Sequence, residues 1–317
     1  MSKIYPISFS IPKEKIVECV PNKTRLLSPL IPGELSTYTF DSEKEYYKQY
    51  QDSLFAITKK KAGWDCMRHY EILANGCIPI FLDLENCPIN TLTHLPKKCL
   101  LYCKKLYETK YKYKSFSKDI VDELYNVLEY LLEYTRKFLT TESIVLYMLN
   151  SVGLIPKRIL FISSTPEVDY LNALVLHGFK NILKENCVDF PKVEYIYKSC
   201  DIKQYLSNFM YNKNLQIPNN FYGGGYTYSC LLDILDNSDI NNRDIQKVIT
   251  EIENDQYDMI IFSQIHRKSI TNHTNILYNI LLNKIPHDRI IFLCGEDEHI
   301  CNYINIESHH IFIRELN

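Results

Sequence analysis

Arg68 and Glu71 stand three residues apart inside the stretch KKKAGWDCMRHYEILANGCIPIF, Lys59 to Phe81. On a helix that spacing puts both side chains on one face. A guanidinium there can neutralise a phosphate, and a carboxylate can accept hydrogen bonds from both hydroxyls of a ribose diol. Lys59, Lys60 and Lys61 add cations just ahead of the helix, and Asp65 is placed to cap it. The free N–H groups and positive dipole end of a helix start favour an anion, so the stretch suits a diphosphate. Gly76 would let the following loop approach a ligand closely, and Pro79 would then hold it rigid. The plain alternative is a surface ion pair between Arg68 and Glu71, which would contribute little.

Other chemistry is spread along the chain. His266 and Asp297 each follow an apolar run and are the candidates for a general base, able to take a proton from an attacking hydroxyl. Each could equally be a structural cap. Gly224 lies in FYGGGYTYS, a loop whose N–H groups could meet a phosphate; it matches neither a GxGxxG fingerprint nor a P-loop. His69 is expected to pack or face solvent, and Trp64 to cover the helix start. The 11 cysteines include no CxxC pair. Cys99 and Cys103 have no companion cluster at zinc spacing, so no metal site is expected. Buried free thiols at Cys77, Cys187 and Cys294 fit a reducing compartment.

These residues need elements to position them. Residues 1–152 open with strand-like runs, then a helix ending in a strand (EKEYYKQYQDSLFAITK), and then the stretch above. KKCLLYCK reads as a further strand. SKDIVDELYNVLEYLLEYTRKFL is an amphipathic helix with Ser117 as its N-cap. Gly153 and Pro156 punctuate the pattern and set a boundary, giving domains 1–152 and 153–317. The second part alternates apolar runs (RILFISS, KVEYIYKS, YDMIIFSQ, RIIFLCGE) with helical ones. That is the signature of a mostly parallel α/β sheet with helices on both faces. Ligands of such sheets bind beyond the carboxyl ends of strands, where His266 and Asp297 fall.

The chain has 317 residues, 46% of them hydrophobic, and a formal net charge of -2. That suffices for two cores and argues against nucleic acid as the main partner. No leader pattern opens the chain and no apolar run is long enough to span a bilayer, so a soluble cytoplasmic protein is expected.

The helix carrying Arg68 and Glu71, followed by Gly76, Cys77, Ile78, Pro79 and an apolar strand, resembles the donor-binding half of GT-B glycosyltransferases, particularly exostosin-like ones. Gly63 also matches, and KKAGWDCMRHYEI is similar to a set of such proteins in giant viruses and algae. The likeness covers roughly residues 50–100 well and the rest of the first half loosely. It implies a GT-B-like fold of two Rossmann-like domains with a ligand cleft between them, and transfer of a sugar from a nucleotide-sugar to a hydroxyl of a glycan or glycoprotein. A UDP-sugar is favoured over a GDP-sugar, no cofactor or metal is required, and a viral factory in an infected host cell becomes a possible setting. Glu71 would hold ribose; Arg68, Lys60 and Lys61 would hold diphosphate. The alternative is a non-catalytic nucleotide-sugar-binding or scaffold protein on the same fold.

The order of the halves departs from that family, because the donor-like half comes first. The tail HHIFIREL and the head SKIYPISFSIP, taken tail to head, run like an interdomain passage. A circular permutation is therefore expected, and it requires the two ends of the chain to be neighbours.

Overall fold

The computed structural model describes residues 3–165, 167–202, 204–205, 225–233, 244–265, 272–297 and 309–317. The chain is α/β and divides into two compact units. One comprises Pro6–Ile144, Asp297–His299 and Arg314–Asn317; the other comprises Met1–Tyr5, Val145–Glu296 and Ile300–Ile313. The division falls before Val145, inside a helix, not at 152/153. Gly153 does end that helix, with φ +73°, but ending a helix does not separate two cores. Among the described residues no helix is long and apolar enough to cross a membrane.

The first unit is built on three parallel strands: β2 (Arg25–Leu27), β3 (Ser53–Thr58) and β4 (Ile78–Phe81), with β3 central. Pro79 has no N–H to give, and it is tolerated because β4 is an edge strand. Helix α1 (Glu43–Gln51) leads into β3 and is capped by Ser42, whose side chain accepts from the N–H of Glu45. Helix α2 (Met67–Ala74) links β3 to β4. KKCLLYCK is helical, not a strand: it forms α3 (Lys97–Leu106). Leu100, Cys103 and Tyr107, three and four residues apart, all bury, a helical spacing that so short an apolar run conceals. Helix α4 (Lys118–Phe138) buries Ile120, Leu124, Leu128, Leu131 and Leu132 along one stripe. Ser117 holds its N-cap position, but its side chain makes no capping bond. Helix α5 (Thr141–Val152) follows.

The second unit holds a six-stranded sheet. Its strands are β1 (Lys3–Pro6), β5 (Ile159–Ser163), β6 (Cys187–Phe190), β7 (Met259–Ser263), β8 (Ile290–Cys294) and β9 (His310–Ile313), in the order β1-β9-β8-β7-β5-β6. The pairs from β6 across to β9 are parallel. Taken from β5 onward the order is 2-1-3-4-5, a doubly wound arrangement whose switch point lies between β5 and β7. Helix α6 (Tyr170–Leu183) follows β5, helix α7 (Ile245–Glu253) precedes β7, and helix α8 (Asn272–Lys284) precedes β8. KVEYIYKS is not a strand but a short 3₁₀ turn at Glu194–Ile196. The strand is the preceding Cys187–Phe190, which ends at Pro191. At the other edge, the N–H of Lys3 donates to the carbonyl of His309 (2.9 Å) and the Tyr5 ring stacks on Phe312.

A fully buried ion pair joins α6 to β6. Lys180 Nζ lies 2.9 Å from Asp189 Oδ1, with both side chains only 2% exposed. The Tyr197 hydroxyl also donates to Oδ1, whereas Oδ2 has no hydrogen-bond partner. Cys77 and Cys187 are buried and outside any disulfide, as expected; Cys294 is disulfide-bonded, which its place in an apolar run did not suggest.

Candidate functional site

Helix α2 is almost wholly internal. Met67 and every residue from His69 to Ala74 are buried, and Arg68 is the most exposed of its eight residues. Even so, Nη1 of Arg68 is buried and has no hydrogen-bond partner, while the Tyr38 hydroxyl lies close to the guanidinium and interacts with it. Burial works against the charge of Arg68, while the oxygens of Tyr38, Tyr50 and Tyr46 favour it, and its pKa ends above the usual arginine value. The guanidinium therefore stays charged in the first turn of a helix whose N-cap residue, Cys66, makes no side-chain capping bond. A buried cationic N–H without an acceptor is costly, and an anion is its natural complement.

Glu71 lies one turn further along and is 6% exposed. Its Oε2 accepts from Tyr46 Oη at 2.6 Å, and Tyr46 Oη lies 3.1 Å from Tyr50 Oη. Tyr38 and Phe40 pack against the Tyr46 ring. Burial first, and the Glu71 charge after it, push the Tyr46 hydroxyl well above its ordinary pKa, so it remains a donor. A ribose would have to compete with Tyr46 for that oxygen.

The other expected residues separate into distinct environments. Lys60 and Lys61 are exposed; Lys60 Nζ sits 5.0 Å from the Trp64 ring centroid. Gly63 is buried, and a Cβ there would run into Glu315 Oε1 and come within 3.0 Å of Asp297 Oδ1. Gly76 lies past the opposite end of α2 from Arg68. At φ +60° it turns the chain after the helix, and a Cβ would meet Pro21 Cδ at 2.8 Å. That is the left-handed position a helix C-terminus favours glycine for. Asp297 pairs with Arg314 Nη2 and is half exposed. His266 and Gly224 lie outside the described residues. His69 packs internally: its ring nitrogens meet Thr58 Oγ1 (2.9 Å) and the Trp64 carbonyl (2.8 Å), and its ring lies 4.4 Å from Phe81. Burial lowers its pKa to about 3, so it is neutral.

Asp65 does not cap α2. Its Oδ2 accepts from the N–H of Phe9 (2.6 Å) and its Oδ1 from Tyr70 Oη (2.9 Å). Around it stand Arg314, whose Nη1 donates to the Asp65 carbonyl (2.6 Å), and Glu315, whose Oε1 accepts from the Asp65 N–H (2.9 Å). Burial pushes the Asp65 carboxyl up to about 7, against the pull of Arg314. Apart from Tyr70, the members of this cluster lie 56 and about 250 residues from Asp65, so local spacing gives no sign of them.

At the switch point of the six-stranded sheet, the strand ends bond to each other. Ser164 Oγ donates to the Ser263 carbonyl (2.6 Å), and Gln264, at φ +58°, accepts from the N–H of Thr165 (3.2 Å). Ser163, Ser164, Thr165 and Gln264 are all buried. Among the described residues, no group of three or more His, Cys, Asp or Glu could hold a metal ion. Compared with family models, curated proteins and solved structures, the chain matches none.

Proposed function

We propose that the protein is a glycosyltransferase of the GT-B kind, with two Rossmann-like domains, moving a sugar from a nucleotide-sugar, a UDP-sugar by preference, to a hydroxyl acceptor. The observation that carries it is Arg68, the most exposed residue of α2, a charged guanidinium whose buried Nη1 has no hydrogen-bond partner. In this reading Arg68 and Lys60 bind the diphosphate. As the bond from sugar to diphosphate breaks, the leaving oxygen gains charge that Arg68 stabilises without a metal. Glu71 takes the ribose hydroxyls after Tyr46 yields. If the anomeric carbon inverts, a base accepts the acceptor's proton, and Asp297 and His266 are the candidates.

The bond from Tyr46 to Glu71 favours a second reading, a protein that binds nucleotide-sugars without turning them over. Calorimetric titration with UDP and a panel of UDP-sugars, beside a donor-hydrolysis assay, separates the two. Transfer or hydrolysis supports the enzyme, and binding alone supports the second reading. Wild-type affinity retained in Arg68→Ala would remove the basis for both.

A further inference from the structure

The chain is acidic overall, yet residues 97–118 carry eight lysines against one acid, Glu108. Helix α3 sorts these charges. Its buried stripe is Leu100, Cys103 and, just past its end, Tyr107. At 100° per residue, Lys97 and Lys104 flank that stripe, and a second row of Lys98, Tyr102 and Lys105 forms the opposite arc. That second row is exposed throughout, with Tyr102 58% exposed. Past a π-helical turn at Tyr107–Tyr111, Lys112, Tyr113 and Lys114 are exposed as well.

Lys97 and Lys104 have a different task. Lys97 Nζ bonds the carbonyls of Pro88 (3.0 Å) and Ile89 (3.3 Å). Lys104 Nζ bonds the Leu82 carbonyl (2.5 Å) and Glu85 Oε1 (2.7 Å). Together they pin the 82–89 loop along the helix. That loop holds Leu82 and Ile89 out in solvent, the latter 82% exposed. Lys98, Lys105 and Lys112 have no carboxylate partner among the described residues, whereas Lys114 lies within the field of Glu123; Lys112 and Lys114 rest over the Tyr113 and Tyr111 rings.

We infer that this face docks on an anionic lipid surface. Unpaired lysines attract anionic headgroups additively, while tyrosines and projecting aliphatic side chains settle at the boundary between headgroups and acyl chains. Two features favour a lipid over a nucleic acid. The charges are all lysines, diffuse point charges without the forked geometry that reads phosphates and bases. Leu82 and Ile89 are apolar groups for which a phosphate backbone has no use.

The test is co-sedimentation of the full chain with vesicles of phosphatidylcholine alone and of phosphatidylcholine with phosphatidylserine. The protein is expected to pellet with the anionic vesicles and to be released as salt rises from about 0.1 M to about 1 M, where screening shortens to roughly 3 Å. Lys98→Gln/Lys105→Gln/Lys112→Gln should lower partitioning about a hundredfold. Ile89→Ser should lower it a few-fold with the salt dependence unchanged. These side chains are exposed, so melting curves should coincide with wild type. Equal pelleting with neutral vesicles, or undiminished binding by the triple variant, would overturn the proposal. Tighter binding to a single-stranded oligonucleotide than to the anionic vesicles would do the same.

Discussion

The Tyr46 hydroxyl donates to Oε2 of Glu71 across 2.6 Å inside the three-stranded unit, joining α1 to α2. One bond thus ties a core contact to the residue proposed to bind ribose.

Tyr46→Phe leaves a buried carboxylate short of a donor and should cost about 1–3 kcal/mol, read from urea unfolding. If Glu71 also serves ribose, the variant should bind UDP at least as well as wild type once folded, since a competitor has gone. Glu71→Gln keeps the shape and can still accept from Tyr46, so it should remain folded while losing UDP affinity.

The glycines should rank by surroundings. Gly76→Ala combines a positive φ with a close approach to Pro21, and Gly63→Ala meets Glu315; each should cost about 1–3 kcal/mol. Gly153→Ala has the same strained φ but open space around it, and should cost about 1 kcal/mol. Thermal melts of the three variants check the order.

Asp65 gives stability a falling component with pH. Its native carboxyl titrates near 7, whereas an unfolded aspartate titrates near ~3.9. Between those values the native state holds a proton that the unfolded chain has released, so stability drops as pH rises. Asp65→Asn removes this component and should gain on wild type as pH goes from about 4 to about 7. Urea midpoints across that range decide it.

His69 and His94 act in the opposite sense. Burial lowers them to about 3 and about 4, so the folded protein keeps both neutral while the unfolded chain protonates near ~6.5. Their component of stability is full above about pH 6.5 and is lost as pH falls toward 4 and 3. His69→Gln should flatten acid unfolding in that window.

Lys180→Met strands the Asp189 carboxylate in the core and should cost about 3–5 kcal/mol. Lys180→Met/Asp189→Leu should restore much of that loss in the same denaturation assay, because no unpaired charge remains.

The second half of the fold was legible because buried parallel strands are near-continuous apolar runs, as ILFIS, MIIFS and IIFLC are. The shorter runs misled. CLLYC looked like a strand because five apolar residues fit either period, and only Tyr107 beyond it completes the helical stripe. In the candidate site, Arg68 and Glu71 could be picked out because α2 sets them one turn apart. The fate of Asp65 could not, because the groups that bind it, Phe9, Arg314 and Glu315, are brought there by the fold. Tyr46 was overlooked for the same reason: nothing in its local spacing points across 25 residues to Glu71.

A helix with seven buried positions out of eight has almost no freedom to drift under mutation. Folding constrains Met67 and His69 through Ala74 most tightly, and position 68, which is partly exposed, the least of the eight. Saturation libraries selected for abundance should therefore be permissive at 68 and strict on both sides of it. The same library selected for ligand-dependent fitness should narrow at 68 to arginine, so the contrast between the two profiles isolates what the residue is kept for.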